Sequence, residues 1–280
     1  MNIKKTTFKY SRLIIGVILS IILLYFIAYL AIQFHLTDVR GNIDKLASHF
    51  NTIKSENIRK KEVQSSPKYW ISTPEWPVIK AGLIKDKDII LRASIDSGVP
   101  ARIILSSVIV EQFRYFDSNR ALFKKIFSPL MALGNNTRFS YGVAGIKIGT
   151  AKVIEGNLKN PQSLYYLGLS NEHILDFSTN NRDNERMNRL TDSKDHYYSY
   201  LYTGLYMKEI MSQWSKKSIP LDNRPEVLAT LFNLGFAHSV PKINPQVGGS
   251  IIKVNNNNYT FGGLAYEFYY SDELTKEFPN

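Results

Sequence analysis

Gly98-Val99-Pro100-Ala101-Arg102-Ile103-Ile104-Leu105-Ser106-Ser107-Val108-Ile109-Val110-Glu111-Gln112 is the stretch on which the reading of this chain turns. Gly98 is a natural stop for a helix over residues 87–97. Pro100 is tolerated in the first turn of a second helix, which runs to about residue 115. In that helix Ile103, Ile104, Leu105, Val108, Ile109 and Val110 form a broad apolar face, and the run closes on a carboxylate. An ionised glutamate at the end of an oily helix incurs a desolvation cost unless it is paired or used. A carboxyl held neutral by apolar walls is what a glycosidic general acid needs. The plainer role for Glu111 is a helix-end residue paired with Arg114 one turn on.

Upstream, residues 13–32 contain twenty residues without a charge. A helix needs roughly 20 apolar residues to cross a bilayer, so a transmembrane signal-anchor helix is expected over 13–34. The apolar region of a cleaved leader is shorter, roughly 7–15 residues. Lys4, Lys5, Lys9 and Arg12 precede the run with no acidic residue among them. That bias keeps residues 1–12 in the cytoplasm and sends the rest of the chain outside. The formal charge of +11 suits an anionic wall or membrane surface. No nucleic-acid motif accompanies it. Without cysteine the chain has no disulfide, thiolate nucleophile or Cys-based zinc site. The histidines His173, His196 and His238 lack the close spacing of a metal pair, so no metal and no cofactor is expected.

Residues 35–68 are polar and rich in Lys, Asn and Ser, and are expected to form a stalk or linker. The folded domain is expected over 69–280, as a mainly α (α+β) fold. Residues 118–139 are expected to hold a further helix and a loop turning at Gly134-Asn135-Asn136. Residues 171–195 are strongly polar and form a surface lobe without calcium-loop spacing. Helices are expected over about 197–216 and 224–232. Ile251-Ile252-Lys253-Val254 and Tyr259-Thr260-Phe261 flank four asparagines, the pattern of a β-hairpin with Asn at the φ > 0 positions.

Five pieces, read in order, resemble the lysozyme-like lytic transglycosylase superfamily of peptidoglycan-cleaving enzymes. Gly98 to Glu111 looks like its glutamate-bearing helix. Ser140-Tyr141-Gly142-Val143-Ala144-Gly145-Ile146-Lys147 is similar to its Ser-x-Gly-hydrophobic-x-Gln-Ile element, and Thr150-Ala151 to the start of the following helix. Tyr202-Thr203-Gly204-Leu205-Tyr206-Met207 and Leu231-Phe232-Asn233-Leu234-Gly235 resemble the last two motifs. The likeness covers about residues 86–245. Three features depart from the pattern: Gln112 follows the glutamate, Gly145 stands at the usual glutamine, and 29 residues separate Glu111 from Ser140.

The resemblance implies a lysozyme-like helical domain outside the cytoplasm, acting on glycan strands. Glu111 would be the single acid/base. Ser140, Tyr141, Gly142 and Ile146 would line the cleft, although a plain turn would use the same residues. Asn233 either binds an N-acetyl group or caps its helix, and Tyr266 either contacts Glu111, stacks on a sugar or packs in the core. A hydrolase would need a second carboxylate within about 5–9.5 Å, for which Asp117 and Glu155 are the nearest in sequence. The third alternative is a non-catalytic wall-binding module on the same fold.

Overall fold

The computed structural model describes residues 3–33, 41–44, 50, 55–116 and 140–279, the side chains of residues 3–13, 28, 31–33, 140 and 141 excepted. The chain divides into two compact units, one of residues 1–38 with 123–135 and one of residues 39–122 with 136–280. In the first, the described element is a single helix, α1 (Ile3–Gln33), which contains the uncharged run. Its aliphatic and phenylalanine side chains between Ile14 and Ile27 are each 48–64% exposed. Among the described residues no helix is long and apolar enough to cross a membrane. Side chains of α1 are described without a break only over residues 14–27.

The second unit is mainly helical, with three two-stranded antiparallel sheets among its described residues. In chain order it holds β1 (Asn42–Ile43), α2 (Glu56–Ser65), α3 (Glu75–Lys85), α4 (Lys87–Ser97) and α5 (Ala101–Phe116). There follow β2 (Ser140–Tyr141), β3 (Ile146–Lys147), α6 (Ile148–Leu158), α7 (Arg182–Thr191), α8 (Tyr197–Ser215) and α9 (Pro225–Leu234). Strands β4 (Gly248–Gly249), β5 (Ile251–Val254) and β6 (Asn257–Thr260) lead into α10 (Phe261–Tyr270).

Helix α5 is the hub. Every residue from Ala101 to Glu111 is buried, and Phe113 with them. A helix sealed on all faces needs neighbours all round, and α3, α4, α8, α9 and α10 each pack against it. Its start is set as the sequence indicates. Gly98 takes a left-handed φ of 65° and ends α4, its N–H returning to the Ile95 carbonyl. Pro100 then lies just outside α5, and its carbonyl accepts the N–H groups of Ile103 and Ile104.

Arg102 is wholly buried in the first turn of α5. Its guanidinium donates to five backbone carbonyls: those of Tyr269 at 2.8 Å, Phe268 at 3.0 Å, Ser271 at 2.7 Å, Glu273 at 2.9 Å and Phe278 at 3.4 Å. Carbonyls at the end of a helix carry the negative end of its dipole and lack intrahelical partners. One side chain therefore satisfies the end of α10 and the turn beyond it. Burial pushes the guanidinium down to about 10, against a smaller opposing pull from Tyr269, Asp272 and Glu273.

The late hairpin forms, but its second strand starts within the asparagine run at Asn257 and ends at Thr260, and Phe261 opens α10. Asn255 and Asn256 take φ values of 47° and 61° between β5 and β6, the two left-handed positions of a type I′ turn. The polar lobe is held by cations over one ring. The guanidiniums of Arg186 and Arg189 lie 5.0 and 4.7 Å from the Phe177 centroid, and Arg189 donates to the Leu175 and Asp176 carbonyls.

The described residues between 41 and 65 differ from the stalk read in the sequence. β1 pairs with β4, the Asp44 N–H donates to the Val247 carbonyl, and the Thr260 hydroxyl donates to the Asp44 carboxylate. Phe50, Arg59 and Val63 are buried in the second unit. Strand pairing and one short buried face per helical turn hold this segment, and neither requires a strongly apolar sequence.

Arg102→Met keeps the volume but strands the carbonyls. The expected loss is about 3–5 kcal/mol, as for breaking a buried charged contact, read as a drop in the urea midpoint of the full chain. A change below about 1 kcal/mol would contradict the clasp.

Candidate active site

Glu111 sits in the last turns of α5 and is 8% exposed. Thirty or so residues on, β2 and β3 form a small hairpin with Ser140 opposite Lys147 and Tyr141 opposite Ile146. Its four-residue tip, 142–145, needs left-handed backbone at both ends, and glycine supplies it: φ is 67° at Gly142 and 65° at Gly145. The same two positions are also contact points. A Cβ on Gly142 would lie 2.3 Å from both the Leu190 carbonyl oxygen and the Ser199 hydroxyl. A Cβ on Gly145 would lie 2.9 Å from Glu111 Oε2 and 3.0 Å from its carboxyl carbon. The hairpin tip is therefore wedged between the end of α5 and the α7–α8 corner.

Two side chains near Glu111 complete the arrangement. The Gln112 amide donates to the Val143 carbonyl and latches the tip onto α5. Arg114 Nη1 lies 2.8 Å from Glu111 Oε1, so the glutamate is paired as well as buried. One carboxylate oxygen thus faces a guanidinium, and the other occupies the space that a side chain at residue 145 would fill. A side chain at residue 145 would have to displace this carboxylate and would strain the left-handed backbone there.

Other expected site residues lie as follows. The backbone of Ser140 and Tyr141 is in β2, while their side chains fall outside the described residues. Gly142 is exposed and Ile146 is buried beneath the hairpin. Asn233 neither caps α9 nor faces open solvent. Its Oδ1 accepts from the Ser250 N–H at 2.8 Å and the Ser250 hydroxyl at 3.0 Å, and its Nδ2 is buried without a hydrogen bond. Tyr266 is a core residue, packed edge-on against Phe50 at 5.1 Å and against Tyr270 at 4.8 Å. Burial raises its phenol above the ordinary tyrosine range, with Arg59 opposing.

Asp117 lies outside the described residues. Glu155 is committed elsewhere: Arg186 grips both its oxygens, and the Tyr202 hydroxyl donates to it at 2.6 Å. Two other carboxyls are pushed up. Burial raises Glu267, which accepts from Trp70 Nε1 at 3.1 Å, to about 7. Burial raises Glu209 to about 9 against a hydrogen bond from Asn157, and its Oε1 has no partner. Asp86 takes 2.6 and 2.9 Å contacts from His196 Nδ1 and the Tyr200 hydroxyl, tying α8 to the α3–α4 junction. Among the described residues no cluster of three or more His, Asp or Glu could hold a metal ion.

Beyond Arg114, the end of α5 carries Tyr115 and Phe116, which are 52% and 40% exposed with ring centroids 6.0 Å apart and nearly perpendicular. Sequence reasoning passed over these rings. Two adjacent aromatics after the apolar face has closed were the available signal. No family model, curated protein or solved structure matches the chain.

Glu209 has a measurable consequence. Its ordinary value is 4.5 and its folded value about 9, so between these the unfolded chain has lost a proton that the fold retains. Its contribution is therefore most favourable below about pH 4.5 and declines until about pH 9. Glu209→Gln removes that decline. Urea midpoints at about pH 5 and about pH 8.5 should converge in the variant relative to wild type, and an unchanged difference would contradict a neutral buried carboxyl.

Proposed function

We propose that this chain is a membrane-anchored lytic transglycosylase that cleaves the β-1,4 bond between N-acetylmuramic acid and N-acetylglucosamine in peptidoglycan. The observation that carries the reading is the contact between Glu111 and Gly145. It joins the glutamate helix to the Ser-x-Gly hairpin, two elements expected to form one site from their order in the sequence. The exposed rings of Tyr115 and Phe116 add apolar faces of the kind on which sugars stack.

The chemistry needs one carboxyl in two successive roles. Glu111 gives its proton to the glycosidic oxygen as the bond from C1 breaks. The carboxylate then takes the proton of the C6 hydroxyl of the same muramic residue as O6 bonds to C1. The product is a 1,6-anhydro end, no water is consumed, and Glu111 is protonated again. The arrangement around Glu155, whose oxygens are held by Arg186 and Tyr202, favours this route over a hydrolase that uses it as second carboxylate. The Arg114 pair favours one rival, a wall-binding module whose glutamate is structural.

Glu111→Gln is nearly isosteric and cannot deliver a proton. It should lower muropeptide release by roughly 10²–10⁴-fold without loss of fold. Mass spectrometry of wild-type products should find them one water lighter than hydrolysed sugars. Products of full hydrolytic mass would point to a muramidase, and no release combined with co-sedimentation with the wall would point to the binding module.

The anchor rests on residues 13–32, uncharged and within one continuous helix, behind four cations. The second unit would then lie outside the cytoplasmic membrane, facing the glycan strands. A reporter fused after Asn280 should be active only outside the cytoplasm, with the protein retained in membranes through a high-salt wash. A soluble mature form beginning near residue 32 would exclude the anchor.

A further inference from the structure

The Glu111–Arg114 pair sets a condition on any chemistry at this site. An ion pair uses the charged carboxylate, whereas proton donation uses the neutral carboxyl, so the two states alternate. Glu111 Oε2 lies 2.9 Å from where a Cβ on Gly145 would stand, on the hairpin side of the carboxylate. The other oxygen, Oε1, is held by Arg114 at 2.8 Å. The Arg114 side chain is 16% exposed against 9% for Glu111, so Arg114 is the more exposed partner. The contact uses Nη1, one part of a planar fork with five N–H donors, a shape matched to a carboxylate. Tyr115 and Phe116, both exposed, follow Arg114 at the same helix end.

We propose that Arg114 is the positioning and specificity residue of the site, which exchanges Glu111 for a carboxylate carried by the glycan and so frees Glu111 to act. This rests on the glycan-cleaving reading and names its substrate class, a sugar polymer bearing carboxylates. Charge balances in the exchange. The ligand carboxylate takes the place of Glu111 on Arg114, and Glu111 takes a proton from solvent. The carboxylate has two possible sources, the lactyl group of a peptide-free muramic residue or the side peptide of a substituted one. A neutral glycan offers neither, and leaves the Glu111 pair closed.

The test reads binding to the full chain in detergent micelles by calorimetry. Its probes are N-acetylmuramic acid, N-acetylmuramoyl-peptide with its lactyl group amide-linked, and neutral N-acetylglucosamine. None contains a glycosidic bond, so turnover plays no part. Because Glu111 competes for Arg114, Glu111→Gln should bind a carboxylate probe roughly tenfold or more tightly than wild type, with N-acetylglucosamine unchanged. The gain should vanish in Glu111→Gln/Arg114→Gln and persist in Glu111→Gln/Arg114→Lys, which keeps the charge and checks for misfolding. A gain with N-acetylmuramic acid assigns the lactyl carboxylate, and a gain with the muramoyl-peptide alone assigns the peptide. A gain with neither, or one that survives Arg114→Gln, overturns the proposal. If the gain appears but wild type cleaves no peptidoglycan, recognition by Arg114 stands and the role of Glu111 as an acid falls.

Discussion

A helix buried on every face accepts no compromise about its neighbours, and α5 carries an arginine into that environment. Arg102 finds no carboxylate among its hydrogen-bond partners. Its charge is stabilised by hydrogen bonds to the carbonyls at the end of α10 and the turn beyond. Leaving a guanidinium without acceptors in this setting would cost several kcal/mol, so α5 and α10 cannot separate or slide without forfeiting the whole set of bonds. Phe268, whose ring lies 4.8 Å from the guanidinium carbon, closes the remaining face.

That constraint propagates along α5 to the site. Arg102 and Glu111 lie nine residues apart on one rigid rod, so fixing the start of the helix also fixes the direction in which its end points. At that end the hairpin tip is held from two sides, by the Gln112 amide and by the α7–α8 corner against Gly142. The carboxylate is thereby placed on a scaffold and not on a loop. What distinguishes it from the other buried acids is its company. Glu155 is saturated, and Glu209 is sealed with a single donor. Among the described residues Glu111 has one hydrogen-bonding partner, Arg114, whose side chain is the more exposed of the two.

Local rules made much of the fold legible. Gly98 and Pro100 mark a helix boundary through their own backbone preferences, and two successive asparagines specify a tight hairpin in the same way. The apolar face of α5 announced a core helix. Long-range polar contacts were hidden, because nothing beside Arg102 in sequence hints at carbonyls beyond residue 267. Tyr266 illustrates the converse. An aromatic residue in a tail rich in tyrosines reads equally as a stacking platform or as core, and only packing against Phe50 and Tyr270 separates the two. The stretch between residues 41 and 65 reads as detached because its composition is polar, yet its first described residues are stitched on by backbone strand pairing for which Gly248 leaves room. At the site, Glu111 and Gly145 were both visible as singular residues. Their contact was not, since a glycine gives no sign of what it makes room for.

The Arg102 clasp also has a history in time. Its farthest acceptor, Phe278, lies 176 residues downstream. At a synthesis rate of roughly 5–20 residues per second, the chain takes on the order of ten seconds or more to supply it. Until then a helix destined to be buried on every face from Ala101 to Glu111 carries a cation without its folded-state acceptors, and for most of that time it lacks α8, α9 and α10. The unit therefore cannot mature vectorially from its N-terminal side. It must be kept from aggregating as an open chain and then close in one late, cooperative step, which ties its yield in the cell to whatever shields residues 101–113 during that interval.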